Sequence, residues 1–260
     1  MGRLFGQSYT TQRRKCKEAK EKYRQTPAAD TRIHLAEQYI RLADILLYNE
    51  KRLSAACTYR KALKLMNEET VGSDLYKCIY RGLGDCYLEC RPQKARGYYE
   101  KVLPIEKEDI SSLRMKKSIC TSIAVTYRKE KDLENELYWR VQVQELQERI
   151  TQQKEDVNDP YWLIYNTNIV AKLYDQKGDM ANAVCYSRML IKQVEELLIP
   201  TAVGAVLEEY ATAYWRIGIF TEDRDGLKKA QELFEALCKH SHSKKVYEMR
   251  LAEIGKMLTD

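Results

Sequence analysis

Two groups of residues have the types that bind metal ions. Cys238, His240 and His242 alternate near the end of the sequence, and Cys86 and Cys90 lie four residues apart. A structural zinc site needs four ligands, usually as pairs from different segments. Neither group has a second pair to complete it, because Cys86 and Cys90 share one predicted helix and the other group follows the end of a helix. We therefore expect no metal site and no cofactor.

Glycine and histidine patterns do not favour catalysis either. Gly82 and Gly84 flank a single residue inside a predicted helix, where they favour close helix packing over a phosphate-binding loop. There are three histidines, and His34, near a helix start, has no evident partner. We predict that the protein is not an enzyme. The enzyme alternative needs a site formed only in three dimensions, which a buried cluster of perturbed ionisable groups would reveal.

The composition favours a folded protein whose core is never far from water. Of 260 residues, 44% are hydrophobic and 32% charged, and the 19 tyrosines outnumber all other aromatic residues. The net charge of +6 raises the expectation of an acidic partner only slightly. The densest basic run, from Arg13 to Arg24, could contact nucleic acid or an acidic membrane, but a solvated helix face is the simpler explanation.

Sequence features also bear on the location of the protein. No apolar run approaches the roughly 20 residues of a membrane-spanning helix. No secretory signal is evident, and most of the eight cysteines fall on apolar helix faces, which favours buried thiols over disulfides. We expect a cytoplasmic or nuclear protein that does not insert into a membrane and has no small-molecule substrate.

Apolar spacing and proline positions predict helices along nearly the whole chain. Tyr39, Leu42 and Leu46 illustrate the three- and four-residue spacing of a one-sided helix, and all five prolines lie where helices should begin or end. No segment shows the period-two alternation of a strand. The pattern predicts a highly charged helix over residues 9–25 and an amphipathic last helix over 243–258.

A small residue recurs within the predicted helices as an anchor. Its positions are Ala43, Gly84, Ala124, Ala171 and Ala211, at spacings of 41, 40, 47 and 40 residues. A second small residue follows in the next helix of four units, as Ala55, Ala95, Ala183 and Ala230. Small residues let two neighbouring helices approach closely while larger residues fill the space around the contact. The sequence therefore predicts repeated helix–turn–helix units.

The pattern weakens after the second unit. Tyr59 and Tyr99 follow the second small residue by four positions in the first two units. In the third unit Glu136 and Arg140 stand where a small and an aromatic residue are expected. Ser187 replaces the aromatic residue of the fourth unit. The fifth unit is predicted to have an enlarged turn, from residue 218 to residue 228.

These units resemble the tetratricopeptide repeat (TPR). The usual TPR repeats at about 34 residues, and spacings near 40 resemble the longer-helix branch that includes kinesin light chain, the spindle-orientation adaptors, rapsyn and the tonsoku-like proteins. The resemblance implies an all-α, right-handed superhelical solenoid of about five repeats with flanking helices at both ends. We divide the chain into a charged N-terminal segment (1–30), a repeat array (31–240) and a C-terminal capping helix (241–260).

The resemblance also implies a binding surface, because the first helix of each TPR lines a concave groove. The candidate groove residues are Arg41, Asp44, Arg81, Asp85, Arg128, Tyr165, Asn168, Lys172, Glu208 and Trp215. The Asn168 amide could pair with a peptide backbone, and Arg81 and Arg128 could hold a carboxylate. Tyr165 and Trp215 are of the types enriched at binding hot spots, although either could equally pack between repeats.

The predicted function is a scaffold or adaptor that binds another protein in this groove, as an extended peptide or a helix. Some TPR proteins bind chaperone C-termini through a Lys and an Asn, but Ile40 and Asp44 occupy those positions here. The alternative is a helical-repeat RNA-binding protein, which needs a continuous basic groove. The mixed charges of the candidate residues make nucleic acid the less expected partner.

Overall fold

The structure, a computed structural model, describes residues 9–66, 74–105, 108–154, 156–197, 204–240 and 244–259. Twelve α-helices and no strand occur within these ranges. The helices are α1 Tyr9–Gln25, α2 Ala29–Tyr48, α3 Arg52–Leu63, α4 Asp74–Tyr87, α5 Pro92–Tyr99, α6 Ile110–Glu130, α7 Leu133–Gln152, α8 Asp159–Lys177, α9 Met180–Glu196, α10 Gly204–Thr221, α11 Arg224–His240 and α12 Lys244–Thr259. The predicted all-α class and the predicted charged helix over residues 9–25 are confirmed.

The chain forms two compact units. Unit 1 comprises residues 1–106 and 125–131, and unit 2 comprises residues 107–124 and 132–260. Unit 1 therefore holds helices α1 to α5, unit 2 holds α7 to α12, and α6 contributes residues to both.

In unit 1, helices that follow one another pack as the predicted pairs. α2 packs on α3 and α4 packs on α5, and α3 and α4 are also in contact. The small anchors lie at the centre of each pair: Ala43, Ala55 and Ala95 are completely buried, and Gly84 is buried with them. Because these residues have little or no side chain, the helix backbones can approach closely.

α1 packs on α2 through a partly polar seam. Gln12, Cys16 and Ala19 form the buried face of α1. The Gln12 side-chain nitrogen donates hydrogen bonds to the backbone carbonyl of Gln38, at 3.1 Å, and to its side-chain oxygen, at 3.0 Å. The Cys16 thiol donates to the same carbonyl at 3.2 Å. Because two of the three buried residues of α1 make hydrogen bonds to Gln38, directional bonds help to fix where α1 lies along α2.

Unit 2 contains the fourth and fifth predicted pairs. α8 packs on α9 and α10 packs on α11, and the contacts continue from α7 to α8, from α9 to α10 and from α11 to α12. The anchors Ala171, Ala183, Ala211 and Ala230 are all completely buried. The pairing expected from the small residues is therefore present in unit 2 as it is in unit 1.

Two unexpected residues of the third repeat lie together on α7. Glu136 and Arg140 are both buried, and their charged atoms are 3.7 Å apart. They replace the small and aromatic residues of the other repeats. Burying a charge is costly unless it is paired, and the contact between them offsets part of that cost.

The predicted enlarged turn of the fifth repeat is wrong. α10 continues to Thr221 and α11 begins at Arg224, so the extra residues lengthen the helices instead. Gly218 lies inside α10, where an added Cβ would be only 2.6 Å from Cγ of Leu227. This glycine therefore permits close contact between α10 and α11, and it does not end the helix.

The turns after α2 and α8 share one backbone conformation. Glu50 (φ 59°) and Gly178 (φ 78°) are left-handed residues that follow the two helices. The N–H of Glu50 donates to the carbonyl of Leu47 and that of Gly178 to Asp175, both at 2.9 Å. The next N–H in each turn reaches the carbonyl five positions back, which completes a Schellman motif. Glycine adopts this conformation freely, whereas glutamate pays roughly 1–2 kcal/mol.

Candidate functional site

The ten candidate groove residues lie on first helices of the predicted repeats, five in each unit. Unit 1 holds Arg41, Asp44, Arg81, Asp85 and Arg128. Unit 2 holds Tyr165, Asn168, Lys172, Glu208 and Trp215. Their burial and their contacts differ widely, so the ten residues are not equally available to a partner.

In unit 1, two of the candidate carboxylates accept hydrogen bonds from tyrosines of the second helices. The Tyr59 hydroxyl donates to Asp44, and the Tyr99 hydroxyl donates to Asp85 at 2.7 Å. Desolvation raises the pKa of both carboxyls, and the hydrogen bonds from the tyrosines oppose that rise. Both aspartates therefore help to join the two helices of their repeat, but Asp44 is also exposed to solvent, whereas Asp85 is half-buried.

Glycines on α4 make room for the two tyrosine rings. A Cβ on Gly82 would lie 2.2 Å from Cζ of Tyr59, and a Cβ on Gly84 would lie 2.4 Å from Cε1 of Tyr99. No side chain can be accommodated at such distances unless the ring moves. The structure thus supports the interpretation that this glycine pair serves helix packing.

The arginines of unit 1 occupy different environments. Arg81 is half-buried beside both aspartates, and its positive charge opposes the rise in pKa of Asp44 and of Asp85. Arg41 and Arg128 are exposed. Arg81 therefore belongs to the internal polar contacts of the repeats, whereas Arg41 and Arg128 remain accessible.

Unit 2 presents an exposed aromatic pair at the beginning of α8. Trp162 is 45% exposed and Tyr165 is 39% exposed, and their rings meet edge to face with centroids 5.9 Å apart. The ring of Tyr161 also meets that of Trp162 edge to face, with centroids 5.3 Å apart. Large aromatic side chains held in place by each other but open to water can bury substantial area on a partner without much loss of side-chain freedom. The sequence indicated Tyr165, but not Trp162, as a binding residue.

Asn168 lies one turn further along α8 and is almost completely buried, at 1% exposure. Within the described residues, neither its amide nitrogen nor its amide oxygen has a hydrogen-bond partner. A buried amide without partners costs about 1–3 kcal/mol. The structure thus places this candidate beneath the surface, with its hydrogen-bonding capacity unused.

A buried arginine occupies the space that Ser187 leaves in the fourth repeat. Arg216, on α10, is 1% exposed, and one guanidinium nitrogen donates to the Ser187 hydroxyl at 2.9 Å. Its Nε lies 3.7 Å from the carboxylate of Asp175, on α8. Burial lowers the pKa of Arg216, and the charge of Asp175 opposes that effect. The replacement of an aromatic residue by serine marked this position in the sequence but did not identify Arg216 as its partner.

A second ionic contact joins α8 to α10. The Lys172 ammonium lies 3.9 Å from the carboxylate of Glu209, whose side chain is only 15% exposed. Desolvation raises the pKa of Glu209, and Lys172 opposes that rise. Lys172 itself remains half exposed. Charges of opposite sign therefore partly neutralise one another where α8 meets α10.

The last two candidates face the last helix of the described chain. Trp215 is 8% exposed, and the Arg250 guanidinium lies 3.7 Å from its ring centroid. Glu208 accepts a hydrogen bond from the Tyr247 hydroxyl at 3.0 Å. Arg250 and Tyr247 both belong to α12. Trp215 therefore packs against α12, which is the structural alternative that its sequence position left open.

No group of three or more metal-binding side chains comes together within the described residues. His242 lies outside those residues, as does Pro200. All eight cysteines are free thiols. Burial raises the pKa of Cys16 and of Cys120 to about 11. It raises the pKa of Cys86 to about 12, so these thiols are protonated at neutral pH.

Among the described helices, none is both long enough and apolar enough to cross a bilayer.

Solved structures of other proteins share this fold. BtubC (BKLC) from P. vanneervenii aligns with a TM-score of 0.57 at 19% identity, over 93% of this chain and 94% of that one. A putative kinesin light chain of Podosopora anserina, with nearly identical TPR-like repeats, aligns with a TM-score of 0.54 at 16% identity, over 80% and 97%. YrrB, a TPR protein with an unusual peptide-binding site, aligns with a TM-score of 0.51 at 17% identity, over 92% and 97%.

Neither a protein-family model nor a curated protein sequence matches the chain. At identities below 20%, the similarity to the solved structures concerns the fold. It confirms the TPR-like helical-repeat architecture that the small-residue anchors predict.

Proposed function

We propose that this chain is a non-enzymatic scaffold that binds an extended segment of a partner protein along α8, with Trp162 and Tyr165 as the main contacts. The observation that carries the proposal is the exposure of these two rings, at 45% and 39%, on the first helix of a repeat. Exposed aromatic residues of this size are the side-chain types that dominate binding energy at protein interfaces. The TPR-like fold supports a protein partner in general, and the YrrB structure has a peptide-binding site on a similar fold.

Polar residues further along α8 would complete the contact. Lys172 lies two turns beyond Tyr165 and is half exposed, so its ammonium can approach a partner carboxylate. Asn168 lies between them, but its amide atoms are inaccessible in the free chain. We expect Asn168 to contribute less than the aromatic pair, and only through a side-chain movement that opens its amide to the peptide backbone. Because the other charges of this face pair with one another, a peptide fits this surface better than a polyanion.

The experiment starts by selecting peptides from a random display library on the immobilised protein. The affinity of a selected, fluorescently labelled peptide is then measured by anisotropy for the wild type, Trp162→Ala and Tyr165→Ala. Tyr138→Ala is the matched control, since Tyr138 is also exposed (59%) and also contacts a tryptophan edge to face, but lies on α7. Truncating a hot-spot residue typically costs about 2 kcal/mol, or roughly 30-fold in affinity.

Two results would contradict the proposal. One is a selection that yields no specific peptide. The other is an equal loss of affinity in Tyr138→Ala and in the α8 variants, since it would place the peptide elsewhere. A loss confined to Trp162→Ala and Tyr165→Ala supports the proposal. The partner would then be sought among cytoplasmic and nuclear proteins, the locations predicted from the sequence.

A further inference from the structure

The positive charge of this protein is concentrated on its first helix. α1 contains seven basic and two acidic residues, so it contributes +5 to the chain's net charge of +6. The two acidic residues are engaged by neighbours on α1: Glu18 lies 3.5 Å from Arg14 and Glu21 lies 3.8 Å from Arg24. The other basic residues of α1 therefore give this part of unit 1 a strong positive potential.

Part of this charge borders a groove between α1 and α2. Seven residues line it: Lys15, Glu18, Ala19 and Lys22 from α1, with His34, Gln38 and Arg41 from α2. The groove is open to solvent and has a volume of about 390 Å³. Ala19 and Gln38 are buried, so they form a neutral floor, whereas Lys22, His34 and Arg41 are exposed along the walls.

We propose that this groove binds an acidic peptide, with carboxylates placed between the cationic walls. The site is separate from the aromatic pair on α8 and does not depend on it. Charge complementarity gives the class of ligand, because three of the lining residues are permanently cationic and the single acidic residue, Glu18, already contacts Arg14.

The geometry of α1 also gives a spacing for the ligand. Lys15 and Lys22 lie seven residues apart, which is about 10 Å along a helix at 1.5 Å per residue. A peptide in the polyproline II conformation rises about 3.1 Å per residue and has three residues per turn. Its residues i and i+3 therefore lie on one side, about 9 Å apart. Acidic residues three positions apart would therefore match the spacing of the two lysines.

The lining of the groove favours a peptide over other anionic partners. Proteins that hold single-stranded nucleic acid stack successive bases on aromatic side chains, whereas the seven lining residues include no Phe, Tyr or Trp and a single ring, that of His34. A membrane-bound helix buries an apolar face, but the buried face of α1, formed by Gln12, Cys16 and Ala19, is already used against α2. The cationic walls and the neutral floor match side-chain carboxylates on a narrow chain.

The test uses a fluorescently labelled peptide made of Glu-Pro-Ala triplets, which keeps acidic residues three apart in an extended conformation. Its affinity is measured by anisotropy with the full chain at about 50 mM salt, where exposed charges are weakly screened. The groove variant is Lys22→Glu with Arg41→Glu. The matched control is Arg13→Glu with Lys17→Glu, which changes the net charge equally but alters exposed residues on the other flank of α1.

The proposal expects binding to the wild type, about a tenfold or greater loss in the groove variant and less than about a threefold loss in the control. Circular dichroism of both variants checks that α1 is retained. A peptide with Gln in place of Glu should not bind. Absence of binding to the Glu peptide, or equal losses in both variants, would overturn the proposal. Tighter binding of a single-stranded oligonucleotide, lost equally in both variants, would show general attraction of polyanions and would also overturn it.

Discussion

The two repeats of unit 1 and the fourth repeat, in unit 2, fill the same position with different chemistry. In unit 1, Tyr59 and Tyr99 occupy it, and each donates a hydrogen bond to an aspartate of its own repeat. In unit 2, Ser187 occupies it, and the guanidinium of Arg216, from the next repeat, fills the remaining space. A tyrosine thus joins two helices of one repeat, whereas Arg216 joins two successive repeats. At this position the space between the helices is filled by a side chain that also makes a hydrogen bond. The helix that supplies this side chain differs between the repeats.

The largest effect is expected when the arginine contact of unit 2 is removed. Arg216→Ala removes the hydrogen bond that the Ser187 hydroxyl accepts, takes the guanidinium away from the half-buried Asp175 carboxylate and creates a cavity, so the free energy of unfolding should fall by about 3 kcal/mol. Chemical denaturation measures it. Lys192→Ala is the control, because its ion pair with Glu196 on α9 is exposed on both sides and is worth less than about 1 kcal/mol. A loss in Arg216→Ala no larger than in this control would mean that Arg216 does not hold the two repeats together.

The glycine that makes room for a tyrosine in unit 1 should be the next most sensitive. Gly84→Ala places a Cβ against the Tyr99 ring, so we expect a loss of about 2 kcal/mol, although alanine is the better helix former. Gly97→Ala is the matched control in unit 1, because nothing lies within 4 Å of its added Cβ. Thermal unfolding should show it stabilised by up to about 1 kcal/mol. Stabilisation of Gly84→Ala to the same degree would rule out the close ring contact.

Removing one tyrosine hydroxyl tests the hydrogen bond and its dependence on pH. Tyr99→Phe should lower the free energy of unfolding by about 1–2 kcal/mol at neutral pH. The hydroxyl favours ionised Asp85, so its loss raises the already raised pKa of this carboxyl further. A carboxyl with a raised pKa makes the folded state less stable as the pH rises through that pKa. This loss of stability should be larger in the variant than in the wild type. Urea unfolding at about pH 7 and about pH 3 should show a larger difference between variant and wild type at the higher pH, and an equal difference would contradict the assignment.

The smallest effects are expected at the two matching turns. Glu50→Gly, in unit 1, should stabilise the chain by up to about 1 kcal/mol, because a glutamate leaves the left-handed region. Gly178→Ala, in unit 2, should destabilise it by about 1 kcal/mol for the same reason. Differential scanning calorimetry would resolve the opposite signs. Shifts of the same sign would show that the turns differ in more than the residue at this position.

The fold could be predicted from small residues, because close helix contact constrains residue type wherever it occurs. Ala43, Ala171 and Ala211 therefore marked the helix pairs correctly. Gly218 was interpreted as part of a turn because a glycine that ends a helix and one that permits close contact look the same in sequence. Only the position of Leu227 in the folded chain separates the two interpretations.

The candidate site was harder to predict, because exposure depends on how neighbouring helices approach. Asn168 and Trp215 have suitable positions on first helices, yet one lies beneath the surface and the other lies under Arg250. Arg216 could not be placed at Ser187 from the sequence, since the two residues are 29 positions apart and belong to different repeats. The binding roles of the exposed residues remain predictions.

The buried thiols allow the local opening of each unit to be measured by chemical modification. Cys86 in unit 1 and Cys120 in unit 2 are 3% and 2% exposed, and their raised pKa keeps them protonated. Alkylating reagents attack the thiolate, so each of these residues reacts only during moments when its surroundings come apart, whereas Cys57 and Cys185 are exposed throughout. The alkylation rate of each buried thiol therefore measures how often the structure around it opens, and no cysteine has to be introduced by mutation.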